Sequence, residues 1–247
     1  MRILISNDDG YLAEGINTLA KRLRKKHQVT IFAPSGNKSA SSSSLTIDKP
    51  LKPTKISESI YTINGTPSDS THFALCGYFK EEFDLVIAGI NFGPNLGDDV
   101  IYSGTVAAAI EGRFVGFPSI AISLASWDGK NFNTAAKVAE VIVDNVEFAE
   151  LSSNTVLNIN VPDIPFNEIK GLKTTRLGKR HKSENIIQDK EDSLLYWIGE
   201  NGKEAENGPG TDFHAIRENY VSITPLQIDL TNNAEIEKVD NWIKKII

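Results

Sequence analysis

Two kinds of segment alternate along this chain, and that alternation narrows the folds open to it. Short apolar runs, each ended by a polar or glycine-bearing turn, alternate with segments whose apolar residues recur every three or four positions. RILIS at Arg2–Ser6 is followed by helical spacing at Ile16, Leu19, Ala20 and Leu23, which predicts a helix over 16–25. QVTIFA over 28–33 reads as a second strand, closed by Pro34, and a polar loop over 35–44 follows. Strands over 60–63, 84–88, 119–123 and 155–159 then alternate with helices over 68–79, 104–112 and 133–148. This pattern predicts βαβ units, and so a doubly wound, mostly parallel, Rossmann-like α/β sheet.

From Gly171 the pattern changes. Strand-like pieces over 172–176, 193–198 and 220–224 flank a charged stretch over 179–192, whose mixed signs read as a solvated β-hairpin or arm. The chain closes on an amphipathic helix over 233–246. No repeat or Pro/Gly-rich linker divides the sequence. Residues 1–247 are therefore expected to form a single α/β domain, with 171–247 as a C-terminal extension.

Composition excludes several classes of function. A net charge of −6 argues against duplex nucleic acid as a partner, because such binding rests on basic surface. No apolar run approaches the ~18 residues needed to cross a membrane. MRILISNDDG has the character of neither a signal nor a transit peptide. Cys76 is the single cysteine, so no internal disulfide forms, and a reducing, cytoplasmic setting is expected.

In an open α/β sheet, ligands gather outside the carboxyl ends of the strands. Chemically capable residues cluster there. The first strand ends in Ser6-Asn7-Asp8-Asp9-Gly10, and the 84–88 strand runs into a loop bearing Asn91 and Asn95. That loop leads to Ser103-Gly104-Thr105 at the start of an alanine-rich helix. Adjacent aspartates repel and need a partner. They read either as ligands of a hard divalent cation or as a cap on the turn before Gly10. Ser103 reads as an N-cap, and the free amides of the first turn could also hold a phosphate. The two signals converge on one sheet edge. Other phosphate and hydrolase motifs are missing: no Arg closes a Cys-x5-Arg loop after Cys76, and there is no P-loop, no G-x-S-x-G elbow and no Asp-x-Asp after the first strand. His27 and His72 read as surface or core-edge residues, His181 falls in the charged arm, and His214 reads as a plain structural histidine.

SNDDG at 6–10, the loop carrying Ser39, GTPSDS at 65–70, GINFGPNLGDDVIYSGTVAAAIEG at 89–112, LNINVPD at 157–163 and GTDFHAIRENYVSITPL at 210–226 together resemble the SurE family. The resemblance spans about residues 1–230. It implies a metal-dependent phosphomonoesterase acting on nucleoside 5′- and 3′-monophosphates by a metal-activated water. It implies one divalent ion per subunit, Mg²⁺ or Mn²⁺, held by Asp8, Asp9, Ser39 and Asn91. Asp8, Asp9 and Asn95 are then the catalytic candidates, and Ser103, Gly104 and Thr105 the phosphate-binding ones. A homodimer or homotetramer built through the C-terminal hairpin is also implied. The chain departs from the family pattern at Glu14 (commonly Pro), Ser35 (commonly Asp), and Ala40 and Asn219 (both commonly Gly). Two other readings of the same residues are a nucleotide-binding regulatory protein without turnover and a purely structural α/β domain.

Overall fold

The computed structural model describes residues 1–145, 151, 155–181, 183, 185–199 and 202–246. Among the described residues, nine strands build the central sheet: β1 (Arg2–Ser6), β2 (Gln28–Pro34), β3 (Pro53–Ser57), β4 (Ile60–Ile63), β5 (Leu85–Phe92), β6 (Ser119–Leu124), β7 (Thr155–Val161), β8 (Leu172–Thr174) and β13 (Val221–Gln227). Their order is β3-β4-β2-β1-β5-β6-β7-β13-β8. The pairs from β4 through β7 are parallel, as the alternation predicts, while β3–β4 and β7–β13 are antiparallel. The strand order reverses at β1/β5, and such a switch point opens a ligand crevice at the carboxyl edge.

Helices cover both faces. Helices α1 (Glu14–Leu23) and α4 (Phe132–Asn145) turn Ile16, Leu19, Leu23, Ala135 and Ile142 onto Ile3, Ile5, Ile87 and Ile122. Arg22 of α1 pairs with Glu140 of α4 at 2.7 Å. On the other face, α3 (Gly104–Phe114) packs Val106, Ala108 and Ala109 on Ala88, Ala121 and Val156. There too, α2 (Pro67–Phe73) leads into a tight turn at 74–78, whose Ala74 lies in the core with Leu4, Phe32 and Val86. The α2 helix is shorter than the predicted 68–79, because Gly77 at φ 112° breaks it. Residues 146–148 of the helix predicted over 133–148 lie outside the described residues.

The segment after Gly171 divides in two. β8 and β13 belong to the main sheet. Between them an arm is built from antiparallel pairs, β9 (Lys179–Arg180) with β12 (Glu204–Glu206) and β10 (Ile187–Gln188) with β11 (Tyr196–Trp197). The short helix α5 (Asp212–Arg217) follows the arm, and α6 (Ile236–Ile243) closes the fold with no buried residue.

Candidate active site

The carboxyl end of β1 is a turn held by Asn7. Its side-chain oxygen accepts from the Gly10 amide at 3.1 Å, and its Nδ2 donates to the Gly10 carbonyl at 3.0 Å. Asn7 therefore caps the turn before Gly10, and that cap does not account for the aspartates. Asp8 is only 4% exposed, and the Thr105 hydroxyl at the start of α3 donates to its Oδ1 at 2.5 Å. Asp9 is half-buried, and its Oδ2 accepts from the Phe92 amide at 3.1 Å.

Asn91 reaches this cluster through a break in β5. The register with β6 shifts between Gly89 and Asn91. Such an irregularity resets which face the following side chains take. Ala88 faces α3 and Ile90 packs with the α1/α4 core, and Asn91 returns to the α3 side. Its Oδ1 lies 3.4 Å from the Thr105 hydroxyl, and its Nδ2 donates to the Gly93 carbonyl at 2.9 Å.

The loop over 35–44 closes over the cluster. The Lys38 amide donates to the Asp8 carbonyl at 2.7 Å, and the Ser42 hydroxyl donates to the Ile101 carbonyl at 2.6 Å. Ser39 is exposed, and both its amide and its hydroxyl donate to Asn37 Oδ1 at 2.7 Å. No hydrogen bond among the described residues joins Ser39 to the aspartates. The loop hydroxyl that, like Asp8, lies against Gly104 is Ser41, a residue that sequence reasoning passed over. A Cβ at Gly104 would fall 2.7 Å from Asp8 Cβ, 3.0 Å from Asp8 Oδ2 and 2.8 Å from Ser41 Oγ. Glycine at 104 is what lets α3 approach both. Ser41 Oγ is buried without a hydrogen-bond partner. Nothing in the run of serines over 41–44 singles it out; only the fold does.

Asn95 is held from three sides. Its amide donates to Asn160 Oδ1, its carbonyl accepts from Asn158 and Asn160, and its side chain donates to Ser123 Oγ at 2.8 Å. Asn158 and Asn160 are fully buried on β7. Two amides at alternate positions of an otherwise apolar strand are a signal that could have been read as a site-facing row. Ser103 caps α3 through its Oγ, which accepts from the Val106 amide at 3.0 Å. The hydroxyls of Ser103 and Thr105 are thus both engaged, one in capping and one on Asp8. His214 stays outside the cluster: its amide donates to the Thr211 hydroxyl at the cap of α5.

The electrostatics of the pair are unbalanced. Burial pushes the Asp8 carboxyl up to about 6, helped by the neighbouring Asp9 and opposed by the hydrogen bond from Thr105. Burial also raises Asp9, opposed by the Phe92 amide. Among the described residues no cationic side chain pairs with either carboxylate. One buried and one half-buried carboxyl group, the Asn91 carbonyl oxygen and an unpartnered serine hydroxyl form a set of hard oxygen donors. That chemistry suits Mg²⁺ or Mn²⁺, which take one or two carboxylates with neutral oxygens.

The family model described as "Survival protein SurE" matches residues 3–184. A relative named 5′-nucleotidase SurE from Vesicomyosocius okutanii is 64% identical over 247 residues, covering 100% of this chain and 99% of its own. Another of that name, from Ruthia magnifica, is 62% identical over 246 residues, covering 100% of both chains. The crystal structure of the SurE protein from Aquifex aeolicus superposes with a TM-score of 0.88 at 40% identity, covering 98% of this chain and 100% of that one.

Proposed function

The chain belongs to the SurE family, and from that premise we propose how it works as a divalent-metal-dependent phosphomonoesterase that hydrolyses nucleoside 5′- and 3′-monophosphates to nucleoside and phosphate. The observation that carries this reading is the pair of carboxyl groups, Asp8 and Asp9, at the sheet edge where α3 begins, with no cationic side chain paired to either among the described residues. One Mg²⁺ or Mn²⁺ per chain would be held by Asp8, Asp9 and Asn91, with a serine of the 35–44 loop as the further oxygen. The family resemblance favours Ser39 for that place, and the unpartnered hydroxyl against Gly104 favours Ser41.

When bound, the cation supplies Lewis acidity and lowers the pKa of a coordinated water. The chain supplies the rest. Thr105 fixes the Asp8 carboxylate in one orientation. Asp9 keeps Oδ2 on the Phe92 amide and leaves Oδ1 to orient the attacking water. The first-turn amides of α3, at Gly104 and Thr105, face the developing charge on the phosphoryl oxygens. Asn95, braced by Ser123, Asn158 and Asn160, has a second amide hydrogen to direct at the same oxygens. Water attacks phosphorus and the P–O bond to the nucleoside breaks; of the two protons of that water, one passes to the leaving alkoxide and the other stays with the product phosphate.

The arm and α6 carry exposed Leu194, Trp197, Ile198 and Trp242, which fit burial in a homodimer or homotetramer. No helix among the described residues is long and apolar enough to cross a membrane. The lone Cys76 fits a cytoplasmic setting. Phosphate release from a panel of 5′- and 3′-mononucleotides, with Mg²⁺, Mn²⁺ or EDTA, tests the function. Nucleotide binding with no metal-dependent release would leave a regulatory protein instead.

A further inference from the structure

Beside the carboxylate pair lies an aromatic surface that the phosphoryl chemistry does not use. Phe92 directly follows Asn91, and its amide is the one bonded to Asp9. Its ring leaves β5 on the α4 side, opposite the side chain of Asn91, and near-stacks on Phe132 with centroids 6.5 Å apart at 30°. Trp127, in the loop after β6, meets Phe92 edge-on with centroids 6.3 Å apart. The indole also lies on the backbone of Gly93, where a Cβ would fall 2.3 Å from Trp127 Cζ3. Gly93 sits at φ 109°, so both its space and its backbone require glycine. One side of the indole is thus seated on the chain, yet Trp127 remains 70% exposed and Phe92 41%.

An exposed, fixed tryptophan next to a polar site is unusual, because large apolar side chains gain by being covered. Here the rings are preorganised by contacts beneath and beside them, so covering the open side needs little further ordering. We propose that Trp127, with Phe92 at its edge, is the nucleobase platform of the substrate site. The proposal rests on the nucleotidase reading above and names the part of the substrate that reading leaves unrecognised. The phosphate lies at Asp8, Asp9 and α3, and the nucleoside extends across the sheet edge toward the α4 side. Every base has a π face, so a stacking platform accepts all four, and purines gain more from their larger rings. No base-edge hydrogen bond is required. Trp127 acts on binding and selectivity, not on the reacting atoms.

Base–aromatic stacking is worth ~1–3 kcal/mol by alanine substitution, or about five- to 150-fold. The test compares AMP with ribose 5-phosphate, which carries the phosphoester without a base, in wild type, Trp127→Ala and Trp127→Phe, all with Mn²⁺. The expected result is that Trp127→Ala lowers the ratio of kcat/KM for AMP to that for ribose 5-phosphate at least about fivefold, mostly through KM. Trp127→Phe restores most of it. AMP affinity by calorimetry in the same variants reads the platform independently of turnover. Affinity lost in Trp127→Ala, in a wild type that hydrolyses neither ester, would keep the platform and reject the phosphatase reading. An unchanged ratio with unchanged AMP affinity would overturn the platform and leave the phosphatase reading standing.

Discussion

Replacing Asp8 by Asn should make the metal-free protein more stable while removing its activity. Asp8 is 4% exposed and its carboxyl titrates at about 6 in the fold, against 3.8 when solvated. Its folded pKa is raised, so the native state binds the proton more tightly than the unfolded chain does. Stability without metal is therefore greatest at low pH, falls as pH rises from about 4 to about 6, and is flat beyond. At 1.36 kcal/mol per pH unit, the interval from 3.8 to about 6 costs about 3 kcal/mol at neutral pH. Asn carries no charge to desolvate and keeps an oxygen for the Thr105 hydroxyl. In a domain of this size ~1 kcal/mol moves Tm by roughly 2–4 °C, so the full effect is about 6–12 °C. Differential scanning fluorimetry with EDTA at pH 7.5 should show Asp8→Asn melting higher than wild type, with most of the difference gone by pH 4. Adding Mn²⁺ should raise the wild-type Tm and leave the variant nearly unmoved, because only the wild type holds the cation well. A variant that melts at or below the wild-type temperature in EDTA at pH 7.5 would refute the reasoning, because the buried charge would then carry no cost.

Three further outcomes follow from named contacts. Ala40 sits at φ 57°, where the family commonly has Gly, so Ala40→Gly should gain about 1 kcal/mol, read as a rise in Tm. Asp212→Ala removes the acceptor of the Gly97, Gly178 and Phe213 amides and should cost about 2–4 kcal/mol in urea unfolding. Ser41→Ala should weaken Mn²⁺ binding by calorimetry about tenfold if Ser41 supplies the loop oxygen, as expected for loss of one oxygen donor. Ser39→Ala should then change that affinity little, and the reverse order would assign the oxygen to Ser39.

Much of the fold was legible because the parallel strands are apolar throughout. RILIS is buried from Ile3 onward and SIAISL along its whole length, and such runs stand out from the helices between them. β3 was missed because PTKIS is mostly exposed and carries no alternation. β5 runs to Phe92, four residues past the predicted end, because its Gly89–Asn91 irregularity breaks the apolar pattern just where the site begins. The pairing of β13 with β7 and β8 depends on contacts far apart in sequence, and a local pattern holds no trace of it. In the site, Asp8, Asp9, Asn91 and Thr105 meet as their strand and helix ends suggested. The loop serine could not be read the same way. Ser39 and Ser41 are chemically alike, and which hydroxyl turns inward is decided by how residues 35–44 fold over α3.

In the proposed function, Asp8 and Asp9 hold a cation that this chain needs to cleave a nucleoside monophosphate. Phosphate release from AMP by the purified protein tests it most directly, measured with Mn²⁺, after EDTA, and after Mn²⁺ is restored. The expected result is release that EDTA abolishes and Mn²⁺ recovers, and that well-folded Asp8→Asn lacks under all three conditions. Release that persists in EDTA, or full turnover by Asp8→Asn, would contradict it.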